Sequence, residues 1–216
     1  MNLEKKLALC IIFLLPICLN AQFNVSASIT YNKWINEPDY SFGRSLLTED
    51  EFINIGGIGF TLKGIYSINS YFGLGFKSGY LPWEHMLIKL RKFSPQGDDL
   101  GIVDHVSRRF FIPSLIILNF IIYNNNVFKI VLNPSIGVYN EIVLAYENDQ
   151  KVYQGYETLY GGAEMEIGCS YLFTENIYLQ MNISLMIINN FYYRSYSQYD
   201  GFNYFFLPSI GVGVKL

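Results

Sequence analysis

The sequence contains very little cysteine, histidine and charge. Cys10 and Cys18 lie in an apolar stretch at the N-terminus, so Cys169 is the only cysteine in the rest of the chain. A single cysteine excludes an internal disulfide and a thiolate metal cluster there. Charged residues make up 15% of the chain and the net charge is −3, without a basic patch of the kind that binds nucleic acid. We therefore predict no nucleic-acid partner, no metal and no cofactor.

A long apolar run occurs only once, at the N-terminus. Two lysines precede the apolar stretch 7–19, and the segment ends in Asn20-Ala21. A positive start, a short apolar core and a small residue at the cleavage point are typical of an export signal. The stretch is also shorter than the roughly 20 residues of a membrane-spanning helix. We predict a cleaved signal peptide over residues 1–21 and one mature domain over residues 22–216.

Apolar and aromatic residues are abundant outside this segment, but they alternate with other residues instead of forming runs. The chain is 51% hydrophobic and 17% aromatic. Over residues 202–216, apolar side chains occupy every second position, and the positions between them are mostly small or polar. This period of two predicts a long strand with two different faces. A strand that crosses a membrane, with one face toward lipid and the other toward a lumen, has this pattern.

Seven further segments have strand character, six of them with the same alternation and one apolar on both faces, so the sequence predicts eight strands. Their bounds are 23–32, 52–66, 71–81, 106–122, 127–146, 156–171, 177–193 and 202–216. The predicted short turns are 67–70, 124–126 and 173–176. The predicted loops include a short polar one at 147–155 and the longest one at 82–104. Tight turns at one end and longer loops at the other are typical of outer-membrane barrels.

The predicted fold is therefore an all-β, eight-stranded, antiparallel, up-and-down transmembrane β-barrel whose short turns face the periplasm. Several strands exceed the roughly 9–11 residues that cross a membrane, so we expect the barrel to project above the outer surface. An eight-stranded barrel has a lumen filled by side chains, which predicts no general diffusion pore. Both faces of the fourth strand are apolar, and we assign Arg109 and Asn119 to the lumen.

Charged residues on the inward faces predict one specific site. Alternation points Lys63 and Lys77 inward on the second and third strands, and Glu164 and Glu166 inward on the sixth strand, across the barrel from the second. A buried charge without a partner is costly. We predict a cross-barrel ion-pair cluster in which Lys63 faces Glu164 and Lys77 faces Glu166. The expected hydrogen-bond neighbours are Asn182 and Ser184.

Motifs spread over the whole mature chain carry a family resemblance. They are a signal ending in NAQ, then FIPSLIILNF, NPSIGVY, YLFTENIYLQ and the closing SIGVGVKL. In these segments the sequence resembles small outer-membrane barrels of the OmpX and OmpA-barrel kind, and more closely the PorT-like group of outer-membrane β-barrel domains of Gram-negative bacteria. The resemblance implies a place in the cell outer membrane, contact with its lipid, and the barrel assembly machinery as a partner during insertion. It implies no particular activity, because members include adhesion, secretion-associated and uncharacterised proteins.

We expect a non-enzymatic membrane protein with a structural role or a role in binding a ligand or protein partner at the surface. Two other hypotheses stay open at this point. One is an outer-membrane enzyme that acts on lipid or peptide at the extracellular rim, where His85 and His105 fall near opposite ends of the longest predicted loop. A hydrolase would need a nucleophile and an orienting acid beside one of them. The other hypothesis is a soluble, lipocalin-like periplasmic binder.

Overall fold

The structure is a computed structural model that describes residues 22–35, 51–125, 127–190 and 202–216. The predicted signal peptide over residues 1–21 lies outside these ranges. The described strands are β1 (Gln22–Trp34), β2 (Glu51–Ile55), β3 (Gly57–Ser67), β4 (Phe72–Phe93), β5 (Asp99–Asn124), β6 (Phe128–Glu147), β7 (Gln150–Leu172), β8 (Ile177–Asn190) and β9 (Asn203–Lys215). Within the described ranges, no helix has the length and apolar character needed to cross a membrane.

Each strand pairs antiparallel with its neighbours, and the sheet closes into a barrel. β1 pairs with both β3 and β9, and the order continues through β8, β7 and β6 to β5. β4 pairs with β3 on one side and with β5 on the other, which closes the ring. β2 and β3 share one position because both pair with β4. The ring therefore has eight positions, and the predicted eight-stranded antiparallel up-and-down barrel is confirmed.

Side chains alternate between the lumen and the exterior as predicted. In β1 the polar side chains from Asn24 to Asn32 are buried, whereas the apolar side chains from Phe23 to Tyr31 are exposed. In β8 the buried Asn182 likewise lies between two exposed apolar residues. Asn119 in β5 is only 1% exposed and faces the lumen, which confirms its assignment. A strand has a side-chain period of two, so each inward position follows from its neighbours.

Over the described residues the strands differ in length around the ring, and two predicted loops are wrong because the longest strands extend into them. β4, β5, β6 and β7 have 20 to 26 residues, whereas β1, β8 and β9 have 13 or 14. The segment 82–104 is largely strand, because only residues 94–98 connect β4 to β5. The segment 147–155 is also strand apart from Asn148 and Asp149, whose φ angles are 45° and 63°. These values are typical of a two-residue hairpin turn.

Gly56 separates β2 from β3 at the rim of the closed ring. Its φ is +113°, and a Cβ at this position would lie 2.2 Å from the carbonyl oxygen of Asn32. Only glycine fits such a conformation and such a close approach. The Gly56 N–H donates to the carbonyl oxygen of Trp83 at 2.8 Å. Beyond this point β2 stays paired with β4, so the sheet continues above the ring.

Candidate functional site

The middle of the lumen holds a layer of ion pairs, which we call the ion layer (Lys63, Lys77, Glu164 and Glu166). The ammonium nitrogen of Lys63 lies 2.6 Å from Oε1 of Glu166. The ammonium of Lys77 lies 2.5 Å from Oε1 of Glu164 and 3.6 Å from Oε2 of Glu166. The lysines extend from the neighbouring strands β3 and β4, and the carboxylates extend from β7 across the barrel. All four side chains are at most 8% exposed.

The structure brings the four predicted residues together, but their pairing differs from the expected one. Lys63 contacts Glu166 and not the expected Glu164, whereas Lys77 contacts both Glu164 and the expected Glu166. Alternation determines the face of each side chain, but the stagger between opposite strands determines its height. The stagger of this barrel brings Lys63 to the height of Glu166.

Amide side chains extend the ion layer by hydrogen bonds. Asn133 donates to Oε1 of Glu166 at 2.6 Å and accepts a hydrogen bond from Asn119 at 2.6 Å. The predicted neighbour Asn182 instead donates to Ser209 at 3.2 Å. Asn133 lies directly opposite Glu166 on the adjacent strand β6. The pairing of β6 with β7 therefore identifies Asn133 as the neighbour of Glu166. Inward parity places Asn133 in the lumen but does not show which residue it contacts.

Above the ion layer the lumen is filled by apolar and aromatic side chains, which we call the aromatic cluster. The members are Leu81, Trp83, Phe111, Leu115, Tyr139, Met186, Ile188, Phe205 and Leu207, with Tyr160 packed against them. Phe111 lies at the centre. Its ring stacks on Trp83 at 5.5 Å and meets Tyr139, Tyr160 and Phe205 edge-on at 5.5 to 6.1 Å between centroids. Aromatic pairs in these geometries stabilise a core beyond their buried area.

Arg109 links the aromatic cluster to two buried carboxylates. Its Nε lies 3.2 Å from Oε1 of Glu84, and its Nη1 lies 3.6 Å from Oε1 of Glu141. The guanidinium also lies 5.7 Å from the centroid of the Trp83 ring. Tyr160 donates to Oε2 of Glu141 at 3.1 Å. The sequence predicted Arg109 in the lumen but not its contact with Glu84, because Glu84 falls in the segment that was predicted as a loop.

Below the ion layer lies a cavity of about 450 Å³, which we call the lower cavity. Its wall includes Asn125 and Glu175 from the short turns and Lys215 near the end of β9. The lower cavity therefore lies at the end of the barrel that carries the short turns. Lys63 of the ion layer belongs to its upper wall. The lumen thus has three zones, which are a cavity, an ion layer and an aromatic cluster.

The exterior of the barrel carries a continuous apolar surface. Exposed apolar side chains come from every position of the ring, and they include Ile29, Leu62, Phe76, Ile116, Ile136, Ile167, Ile183 and Val212. Soluble monomers rarely expose contiguous apolar patches above a few hundred Å². An outward apolar surface around the whole ring is the feature that distinguishes a lipid-facing barrel.

Aromatic side chains flank this apolar surface. Near the short turns the exposed aromatics are Phe23, Tyr71, Tyr123, Tyr171 and Phe173. Toward the opposite end they include Tyr31 and Tyr204, with Phe60, Tyr80 and Phe110 in contact across three strands. Phe23 and Tyr31 are separated by about 26 Å of strand at roughly 3.3 Å per residue. Because barrel strands are tilted by about 35–45°, this strand length spans about 20 Å of height, which fits within the apolar band of about 25 Å that aromatic girdles bound in outer-membrane barrels.

The two histidines lie in the paired strands β4 and β5, not in a loop. His85 is opposite Arg108, and His105 is opposite Ile88. Nδ1 of His105 lies 3.7 Å from Oε1 of Glu147. Partial burial, followed by the positive charge of Arg108, lowers the pKa of His85 below its usual value. The described residues contain no group of three or more His, Cys, Asp or Glu side chains placed to hold a metal ion.

Comparison with known proteins gives fold-level similarity only. No protein-family model matches the chain, and no curated protein matches it. The chain is similar to Neisserial surface protein A, at 14% identity over 91% of this chain and 97% of that chain, with a TM-score of 0.46. It is similar to the outer membrane protein OprG from Pseudomonas aeruginosa, at 11% identity over 91% and 96%, with a TM-score of 0.43. The outer membrane protease OmpT from Escherichia coli shows 12% identity over 91% and 96%, with a TM-score of 0.39. At this level of similarity the description of the fold rests on the strand pairing of this chain.

Proposed function

We propose that the protein is an integral outer-membrane barrel that presents a rigid sheet to a partner at the cell surface and has no catalytic activity. The observation that carries this proposal is the contrast between the apolar ring and the strands that continue beyond it. β5 has 26 residues, more than twice the roughly 9–11 that cross a membrane. Lipid would cover the ring, and the additional length would stand in water.

The part beyond the ring is a five-stranded sheet, which we call the projecting sheet (residues 51–55, 84–93, 99–109, 142–147 and 150–156). Its strands remain paired up to the connections at 94–98 and 148–149. Within the described ranges, β8 pairs with β7 from Tyr160 to Leu172. Apolar side chains are exposed near both connections, and they are Leu100, Ile102, Val152 and Tyr153. Paired strands with exposed apolar side chains favour a preformed contact surface over a flexible loop.

A closed lumen favours a binding or structural role over transport. The aromatic cluster fills the lumen above the ion layer, and the ion layer joins opposite walls. The apolar exterior disfavours the soluble, lipocalin-like alternative, because that surface would be exposed to water. The enzyme alternative has no specific observation in its favour, since His85 and His105 lie apart along the paired strands.

The test has a localisation part and a binding part. We expect the protein in the outer-membrane fraction, and an epitope inserted after Gly97 should bind antibody on intact cells. Recovery in the soluble periplasm would support the lipocalin-like alternative. If antibody bound the epitope only after cell lysis, the barrel would have the opposite orientation in the membrane. Surface protease should cut within 94–98 rather than along the paired strands.

Binding is tested by measuring how well cells that display the protein adhere to surfaces coated with extracellular polysaccharides or proteins. The double variant Leu100→Ser/Ile102→Ser should reduce retention of the cells, because it removes exposed apolar contacts from the projecting sheet. The matched control is Gln150→Ser/Gln154→Ser, which alters exposed polar side chains near the other connection and should retain binding. Equal retention of both variants and the wild type would argue against the sheet as the contact. Hydrolysis of lipid or peptide that is lost in His85→Ala or His105→Ala would contradict the non-enzymatic role.

A further inference from the structure

The lower cavity concentrates positive charge at one end of the lumen. Its wall contains three lysines, Lys63, Lys129 and Lys215. They extend from β3, β6 and β9, which are separated around the ring by two, three and three positions. The three ammonium groups therefore approach one volume from three sides. Lys129 experiences the like charges of both Lys215 and Lys63.

Two of these lysines have no carboxylate partner among the residues that the structure describes. Glu166 forms an ion pair with Lys63 and also contacts Lys77. The ion pairs within the described ranges do not include Lys129 or Lys215. Like charges enclosed together repel each other, and a bound anion removes that cost. The wall also contains one carboxylate, Glu175, which can balance only one of these two charges, so the cavity has an excess of positive charge that its own wall does not neutralise.

The remainder of the wall is suited to a small organic molecule. Amide side chains in the wall come from Asn24, Asn119, Asn124, Asn133 and Gln180. Four of them already donate to protein oxygens, so an anion would use the amide hydrogens that remain. Apolar wall is contributed by Ile65, Val127, Phe128, Val131 and Leu172. A volume of about 450 Å³ lies within the range of roughly 300–1,000 Å³ that is typical of small-molecule sites.

We propose that the lower cavity binds an anionic molecule that consists of a phosphate group and a short apolar chain. The phosphate contacts Lys129 and Lys215, and the chain lies against the apolar wall. Lysine binds phosphate as a point charge. The site does not depend on the proposed surface role, because it lies at the opposite end of the lumen from the projecting sheet.

The direct test is isothermal titration of the full barrel, refolded in an uncharged detergent, with hexyl phosphate, inorganic phosphate and hexanol. We expect saturable binding of hexyl phosphate, weaker binding of inorganic phosphate and no saturable binding of hexanol. Lys129→Gln/Lys215→Gln should weaken hexyl phosphate at least tenfold. The control Lys151→Gln changes an exposed lysine outside the cavity and should leave the affinity unchanged. Absence of saturable binding to the wild type, or equal affinity in the double variant, would overturn the proposal.

A second variant keeps both lysines and tests the same idea in the opposite direction. Ser170 lies opposite Lys129 in the pairing of β6 with β7 and also lines the cavity. Ser170→Glu supplies a carboxylate beside Lys129, so it should abolish binding of hexyl phosphate and raise the unfolding midpoint in urea. Unchanged affinity in a folded Ser170→Glu barrel would contradict the proposal, whether or not the lysine variants fold.

The source of the phosphate is distinguished in vesicles. If the group belongs to a membrane lipid, vesicles of phosphatidylglycerol should compete with hexyl phosphate, and vesicles of phosphatidylcholine should compete less. If it belongs to a soluble molecule, hexyl phosphate should bind equally in both vesicles. Either result supports the site and identifies the source of the phosphate group. Loss of hexyl phosphate binding in both types of vesicle would overturn the proposal.

Discussion

At mid-height the lumen is closed by Lys63 and Lys77 against two carboxylates, whereas above them Phe111 and its neighbours fill it with carbon. Ion pairs are directional and require both partners within a few ångströms. Apolar contacts depend mainly on volume and tolerate several arrangements. The ion layer therefore defines how β3 and β4 are positioned against β7. The aromatic cluster excludes water from the lumen, but it constrains the relative positions of the strands less strictly than the ion layer does.

The largest effect should come from reversing a charge in the ion layer. Lys63→Glu places a third carboxylate beside Glu164 and Glu166 and removes a buried partner. Breaking a buried pair costs about 3–5 kcal/mol of unfolding free energy. The measurement is unfolding of the barrel by urea in vesicles. The folded fraction is read from gels, in which the compact barrel and the heat-denatured chain migrate differently.

The reciprocal variant sharpens this result. Lys63→Glu/Glu166→Lys should recover much of the lost stability, because it restores one positive and one negative charge at the same contact. The control is Lys63→Glu/Ser209→Ala, in which the second change lies outside the ion layer and should restore nothing. If Glu166→Lys gives no recovery over the sum of the single changes, the ion layer does not stabilise the barrel as a pair.

Truncation at the centre of the aromatic cluster should be nearly as damaging. Phe111→Ala removes a ring that is 1% exposed and leaves a cavity among four aromatic neighbours, at a cost of about 3–5 kcal/mol. Phe76→Ala is the matched control, because Phe76 is 53% exposed on the outer face. Unfolding in vesicles should show a much smaller loss for the control. Equal losses for the two variants would mean that the cluster is not a packed core.

A smaller effect separates charged from neutral hydrogen bonds in the lumen. Asn133→Ala removes a donor to the Glu166 carboxylate and should cost about 1.5–3 kcal/mol, as for hydrogen bonds to charged groups. Asn182→Ala removes a bond to the neutral Ser209 hydroxyl and should cost about 0.5–1.5 kcal/mol. Urea unfolding of both variants gives the comparison. A larger loss for Asn182→Ala would show that the ion layer does not depend on Asn133.

The smallest expected signal is electrical. The wild-type barrel in a planar bilayer should show no large steady conductance, because the ion layer and the aromatic cluster both obstruct the lumen. The Phe111→Ala variant should also show little conductance, because the ion layer still obstructs the lumen below the site of the change. Large, stable single-channel currents from the wild type would contradict the closed lumen.

Much of the ring could be predicted from the sequence because each crossing strand separates two different surroundings. Lipid on one side and a polar lumen on the other impose the alternation seen in β1 and β8. That alternation identified the inward residues of the ion layer. It could not assign Lys63 to Glu166, because the height of a residue depends on stagger between strands that are distant in sequence.

The projecting sheet was missed for a related physical reason. Both of its faces lie outside the apolar band, so its strands lose the contrast between apolar and polar faces. Pro82, Pro95 and Gly97 are common loop residues, and they reinforced the prediction of a loop. Pro82 is accommodated at a register shift between β4 and β5, which is where strands tolerate proline. The turn consists only of Asn148 and Asp149, and an Asn-Asp pair, which tolerates positive φ angles, was the local sequence signal for it.

The arrangement of the ion layer also governs how the barrel can assemble. Lys63 and Lys77 are directly opposite each other on β3 and β4, and Glu164 and Glu166 are next but one on β7. Like charges placed opposite each other destabilise an isolated pair of strands. Lys63 and Glu166 are separated by 103 residues in the chain, so neither group of charges is neutralised until β7 lies across the lumen from β3 and β4. A partly formed barrel that holds both lysines without β7 is therefore destabilised. Folding becomes cooperative because β7 supplies the two carboxylates that neutralise them.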